Sequence, residues 1–148
     1  MDREKLKAVI PEERLVFDSI APEYLSDTLG RRKGKAEALV FPLSAEEVSG
    51  VLKFAHESRI PVTPRGAGTN LVGSTVPTEG GIILDLSRMN RILELDPATM
   101  TVTVEPGVLL KDLQAYVEER GLSTRRIPAR RLPPSAATSA PTPAGCGP

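Results

Sequence analysis

Pro61-Val-Thr-Pro-Arg-Gly-Ala-Gly-Thr-Asn-Leu71 is the stretch that decides how this chain is read. A strand-like run ends in Arg65-Gly66-Ala67-Gly68-Thr69, where two residues without Cβ let a ligand come close to the backbone. Successive amide N–H groups in such a bend can form a nest around a diphosphate, with the Thr69, Ser74 and Thr75 hydroxyls adding donors. Two other phosphate motifs fail here. Gly66-Ala-Gly68 opens like a dinucleotide fingerprint, but Leu71 stands where the third glycine belongs and no helix-forming run follows. No Gly-Lys-Ser or Gly-Lys-Thr occurs, which excludes a P-loop. By itself the stretch reads equally well as a plain glycine turn between strands.

The flanking sequence gives it a setting. Upstream, Ala38–Phe41 and Ile60–Pro64 read as short strands. Between them Ser44-Ala-Glu-Glu47 has the form of a capping box, opening a helix with Val48, Val51, Leu52 and Ala55 on one apolar stripe. That makes a β-α-β unit with a crossover long enough for a parallel pair. Met1 to about Gly34 looks helical and polar, broken by Pro11 and ending in the basic run Gly30-Arg-Arg-Lys-Gly34. Downstream, Gly81–Leu86 reads as a strand, Ser87–Asn90 as a turn and Arg91–Leu95 as another strand. Asp96-Pro-Ala-Thr99 is a turn with Pro at its second position, and Met100–Glu105 alternates like a half-buried strand. Gly107 breaks that strand; Leu110, Leu113 and Val117 then mark a helix stopping at Gly121. The expected fold class is α+β: a β-α-β unit, then antiparallel strands and a helix, with a disordered C-terminal tail.

Composition narrows the function. The chain has 148 residues, with 19 basic and 19 acidic side chains, one His and one Cys. Balanced charge argues against a dedicated nucleic-acid binder. A single Cys and a single His leave no disulfide framework and no common zinc cluster, so no metal site is expected. No apolar run is long enough to span a membrane, and the start lacks a secretory h-region, which makes cytoplasmic the default localisation. His56 reads as a solvated or capping residue, and Asp85 as a strand residue facing solvent. Tyr24, Tyr116 and the three Phe residues are too few and scattered for a base-stacking platform.

The ordered set of Phe41-Pro-Leu-Ser-Ala-Glu-Glu-Val48, Pro64–Asn70, Gly81–Leu86 with Met89-Asn90, the Asp96 turn and Val104-Glu-Pro-Gly-Val108 is more specific than any one piece. Over about residues 15–123 it resembles the N-terminal half of the FAD-binding domain of the vanillyl-alcohol oxidase and p-cresol methylhydroxylase (PCMH-type) flavoproteins. Within them it is most similar to the branch that holds glycolate oxidase and D-lactate dehydrogenase. The resemblance implies FAD as cofactor, with Arg65, Gly66, Ala67, Gly68, Thr69 and Asn70 around its diphosphate. It adds Gly73, Ser74, Ser87 and Met89 as further contacts, and Pro106 and Gly107 as shapers of a nearby turn. It also implies hydride transfer to flavin from a small 2-hydroxy acid of the glycolate or D-lactate type in the intact relative. No catalytic residue falls in this chain, and little turnover is expected of it alone. The alternative is a non-enzymatic nucleotide-binding or interaction module with a basic disordered tail. On the first reading the segments are 1–34, an N-terminal helical part; 35–123, a partial FAD-binding domain; and 124–148, a disordered, out-of-frame tail.

The tail, TRRIPARRLPPSAATSAPTPAGCGP, carries six prolines, four arginines and no acid. Such a stretch buries too little apolar surface to offset its ordering entropy. At this point the resembled family carries Tyr-Pro-Pro-Asp-Pro and later Ile-Gly-Gly-Asn-Val-x-Thr-Asn-Ala-Gly-Gly. Thr124–Pro128 written ACC CGC CGG ATC CCC reads Tyr-Pro-Pro-Asp-Pro one base earlier, behind a T. Ser135–Gly145 admits synonymous codons that read Ile-Gly-Gly-Asn-Val-Gly-Thr-Asn-Ala-Gly-Gly in the same shifted frame. The expectation is a truncation of the family pattern by a slip of reading frame near Ser123, which would leave Cys146 and the tail arginines without a selected role.

Overall fold

The computed structural model describes residues 1–69 and 71–124, and the expected disordered tail lies outside them from residue 125 onward. Its centre is a four-stranded sheet in the order β1-β2-β4-β3, formed by β1 (Leu15–Val16), β2 (Ala38–Val40), β4 (Ile82–Asp85) and β3 (Val62–Arg65). β4 runs parallel to both β2 and β3, and β1 pairs antiparallel with β2. The expected β-α-β unit is present, with one correction: its two strands do not touch, because β4 is inserted between them. Every residue of β2 and β4 is buried, as an apolar run must be when both faces of a parallel sheet are covered. The apolar run Ile82-Ile-Leu84 therefore belongs to the parallel core and does not begin the antiparallel part.

Helix α3 (Ala45–Glu57) covers one face. Ser44 accepts from the Glu47 N–H at 3.3 Å, which is half of the expected capping box. The other half is replaced. The Glu47 carboxylate accepts from the Leu43 N–H at 2.7 Å and from both terminal nitrogens of Arg14 at 2.6 Å. The buried stripe is Val51, Phe54 and Ala55, with Val48 packed beside it, while Leu52 is exposed. Leu52 fails because the stripe faces α1 (Arg3–Lys7), whose Leu6, together with Ile10, completes this core.

Residues 1–34 are less helical than expected. Only α1 and α2 (Pro22–Leu25) are α-helical; Glu12–Arg14 is a single 3-10 turn, and Leu15–Val16 extends the sheet. A two-residue strand between a 3-10 turn and Phe17 is too short to show a period-2 pattern. Residues 92–124 follow the expected plan. β5 (Ile92–Asp96) and β6 (Thr101–Val104) form an antiparallel hairpin, and α4 (Leu110–Glu118) follows. Bonds from the Gly121 N–H to the Glu118 carbonyl and from the Leu122 N–H to the Val117 carbonyl close α4 in a Schellman ending.

Candidate functional site

Alternation along the strands puts Leu39, Ile83, Asp85, Thr63 and Arg65 on the sheet face opposite α3, with Arg65 in register with Asp85 at the carboxyl ends of β3 and β4. Ligands of open α/β sheets bind beyond those ends. The loops leaving them converge here. The Arg65 carbonyl accepts from the Leu86 N–H at 2.8 Å, tying the start of the glycine loop to the turn after β4. Asp85 does not face solvent as expected: it is buried, and its Oδ1 accepts from the Ser87 N–H at 2.9 Å. That bond and the one from the Met89 N–H to the Leu86 carbonyl fix the 86–89 turn.

Gly107 seats this turn from below. Its N–H donates to the Met89 carbonyl at 2.8 Å, and a Cβ there would collide with the carbonyl oxygens of Leu86, Ser87 and Met89. The Pro106 carbonyl lies 4.0 Å from where a Cβ on Gly66 would stand. Pro106 and Gly107 thus do shape a turn beside the glycine loop.

The glycine loop takes its shape from its backbone conformation. Gly68 has φ +69°, the left-handed region that glycine enters without strain. Thr28 donates its hydroxyl to the Gly68 carbonyl at 3.0 Å, which fixes the way that peptide faces. The Arg65 guanidinium folds over Gly68, close enough that a Cβ there would overlap Nη2, and stacks on Tyr24 with Cζ 5.0 Å from the ring centroid. Among the described residues its buried Nη1 has no hydrogen-bond partner and Arg65 enters no ion pair. A buried guanidinium N–H without an acceptor is costly, and an anionic oxygen is what would satisfy it.

Two clefts meet at Arg65. One, of about 300 Å³, is lined by Glu23, Ser26, Asp27, Thr28, Arg65 and Gly68. The other, of about 230 Å³, is lined by Glu23, Tyr24, Arg65, Gly66, Ala67, Asp85 and Ser87. Pockets for whole ligands run from about 300 to 1,000 Å³, and the two clefts together reach that size. Burial, and after it the Asp85 and Glu23 carboxylates, push the Tyr24 phenol above its usual value against the pull of Arg65 and Arg88. Tyr24 therefore stays neutral near pH 7, and its recorded contacts are those of its ring.

Of the residues expected from sequence, Arg65, Gly66, Ala67, Gly68 and Ser87 line these clefts. Thr69 and Ser74 are exposed and line neither cleft; Gly73 is buried with Arg32 packed on it. Met89 is also buried, and its carbonyl is committed to Gly107. Asn70 lies outside the described residues. Sequence reasoning missed Glu23, Tyr24, Ser26, Asp27 and Thr28. The signal was present in Ser26-Asp-Thr28, a polar turn-forming run: the Asp27 carboxylate accepts from the N–H groups of Arg31 and Arg32 at 2.7 and 3.2 Å and so folds residues 27–32 into a loop. His56 is exposed on α3, away from the clefts. No group of His, Cys, Asp or Glu among the described residues could hold a metal ion, and no helix among them is long and apolar enough to cross a membrane.

Comparison with known proteins identifies the family and the fold. Residues 36–145 match the FAD binding domain family. The chain is 42% identical over 99 residues to the glycolate oxidase subunit GlcD of Bacillus subtilis, covering 67% of this chain and 21% of that protein. It is 42% identical over 120 residues to a D-lactate dehydrogenase of Anaerostipes hadrus, covering 80% and 25%. The fold overlays the crystal structure of p-cresol methylhydroxylase with substrate bound at a TM-score of 0.70 and 30% identity, covering 80% of this chain and 24% of that one. The chain thus spans about a quarter or less of the length of these proteins.

Proposed function

The chain belongs to the FAD binding domain family, with a PCMH-type fold and FAD as its cofactor, and from that premise we propose that residues 65–69 bind the diphosphate bridge of FAD in an oxidoreductase acting on a small 2-hydroxy acid. The observation that carries this reading is the unpartnered Nη1 of Arg65, placed between two clefts where the glycine loop and the 86–89 turn converge. The residues present fit the group. The backbone of Gly66, Ala67 and Gly68 offers neutral donors, Arg65 gives a cation shared by the two clefts, and Ser87 brings a hydroxyl to the opposite lip. Bound FAD supplies the two-electron redox centre, and the protein supplies its position.

The 2-hydroxy acid is supported by the kind of relative matched: a glycolate oxidase component and a D-lactate dehydrogenase, whose named substrates share one functional group. Turnover by the chain alone is expected to be small or nil, because its described residues build one side of a cofactor site. Residues 1–34 and 35–123 work together in it, since Glu23, Tyr24 and Thr28 wall clefts whose floor comes from β3 and β4. Titrating FAD into the purified chain while following flavin fluorescence tests the reading: saturable quenching is expected, with competition by ADP. Absence of binding by both FAD and ADP refutes it.

The slip of reading frame near Ser123 belongs to the same proposal. Its support is the change in composition, since residues 125–148 hold four arginines and no acid. The family match runs on to residue 145 and gives no mark of a break. The codons for residues 121–145 decide. If the neighbouring frame does not spell Tyr-Pro-Pro-Asp-Pro and the later glycine-rich motif, the slip did not occur.

A further inference from the structure

Tyr24 precedes the family-matched range of 36–145, and α2, which carries it, contributes no strand to the sheet. Yet its ring carries the Arg65 guanidinium, and edge-on contact with Phe41, at 6.3 Å between centroids and 87° between planes, holds that ring in place. A second cation, Arg88, stacks on Phe41 at 4.7 Å. The two arginines thus sit on a pair of mutually braced aromatic rings, one from α2 and one from the residue that follows β2. The arrangement restricts Arg65, whose long side chain otherwise loses rotamer freedom each time it engages an anion.

We propose that Tyr24 is a positioning residue for the cofactor: its ring is the shelf that keeps the Arg65 guanidinium over Gly68, so that a small rotation turns Nη1 onto a diphosphate oxygen in the adjoining cleft. This rests on the FAD reading above. The shelf works through its π-face, and the Tyr24 hydroxyl is dispensable. The device also explains why Thr28, four residues on, ties down the Gly68 carbonyl: one short segment sets both the cation and the peptide that frame the cleft.

Four variants of the full chain test it: Arg65→Met, Tyr24→Leu, Tyr24→Phe and the Arg65→Met/Tyr24→Leu double variant. Each is titrated calorimetrically with FAD and with ADP after circular dichroism has matched it to the parent. Arg65→Met and Tyr24→Leu are each expected to weaken both ligands about tenfold. The double variant is expected to be no weaker than Arg65→Met, and Tyr24→Phe to stay within about twofold of the parent. Tyr24→Leu and Arg65→Met effects that multiply, or a Tyr24→Phe loss equal to that of Tyr24→Leu, overturn the shelf while leaving FAD binding intact. Binding of ADP with this same pattern but no binding of FAD keeps the shelf and removes the flavin. Loss of both ligands in the parent removes both.

Discussion

Replacing Glu47 by Gln probes the joint that fastens the N-terminal segment to the sheet and α3. In the native chain the Glu47 carboxylate takes two bonds of 2.6 Å from Arg14, with side-chain exposures of 23% and 9%. A third bond comes from the Leu43 N–H. The glutamine keeps one acceptor oxygen and the size but loses the charge, leaving the largely buried Arg14 with one uncharged acceptor at position 47 and a 3.4 Å contact to the Phe41 carbonyl. Hydrogen bonds to charged groups contribute about 1.5–3 kcal/mol each, and breaking a buried pair from one side costs about 3–5 kcal/mol. Glu47 retains some water contact, so the low end applies, about 3 kcal/mol. For a unit of this size that is roughly a 10 °C fall in Tm. The pH dependence gives an independent check. Arg14 holds the Glu47 carboxyl below its usual range, so the contribution is present in full above pH about 4.3, the unfolded-state value. It is lost as pH falls through the lower folded-state pKa. Urea unfolding of the parent and Glu47→Gln should therefore differ by about 3 kcal/mol at pH 7, and the curves should converge as the parent carboxyl is protonated. A gap under about 0.5 kcal/mol at pH 7, or one that persists undiminished in acid, would refute the reasoning.

Two further substitutions separate support from binding. Gly107→Ala drives a methyl into three backbone carbonyls that cannot yield, and it strains the bond to Met89. Overpacking and a lost hydrogen bond together cost about 3 kcal/mol, read by thermal unfolding without ligand; a Tm within a degree of the parent would show that the turn is not seated on Gly107. Gly68→Ala acts at the loop, where φ is +69° and the new Cβ meets Arg65. Left-handed backbone costs an alanine about 1–2 kcal/mol, so stability should fall modestly while FAD affinity drops at least tenfold. Equal affinity by fluorescence titration would mean that the loop does not approach the cofactor.

The parts of this fold visible in sequence were those with local causes. Ser44 is an N-cap because its hydroxyl reaches an amide three residues on, and Gly121 ends α4 because the chain must turn left-handed there. The β5–β6 hairpin follows from Asp96, which accepts from the Ala98 and Thr99 N–H groups and the Thr99 hydroxyl within the turn. What local causes could not supply was adjacency. Nothing in Ile82-Ile-Leu-Asp85 says that it lies between β2 and β3; an uninterrupted apolar run is compatible with any strand buried on both faces. The bond that displaced half of the capping box came from Arg14, 33 residues before Glu47, and no spacing rule reaches so far.

The candidate site divides along the same line. Its glycine loop was readable because a backbone that a ligand can approach requires residues without Cβ, and a backbone requirement leaves a mark on neighbouring positions. Its opposite wall left none, because Tyr24 and Thr28 act by side-chain contacts to Arg65 and Gly68, some 40 residues downstream. A side-chain shelf can be built from any segment that the fold brings near, so its sequence is constrained only at the contacting residue. Binding sites assembled from a backbone nest on one side and a side-chain wall on the other therefore show half of themselves in sequence. The half that stays hidden is the one that sets the orientation of the charge.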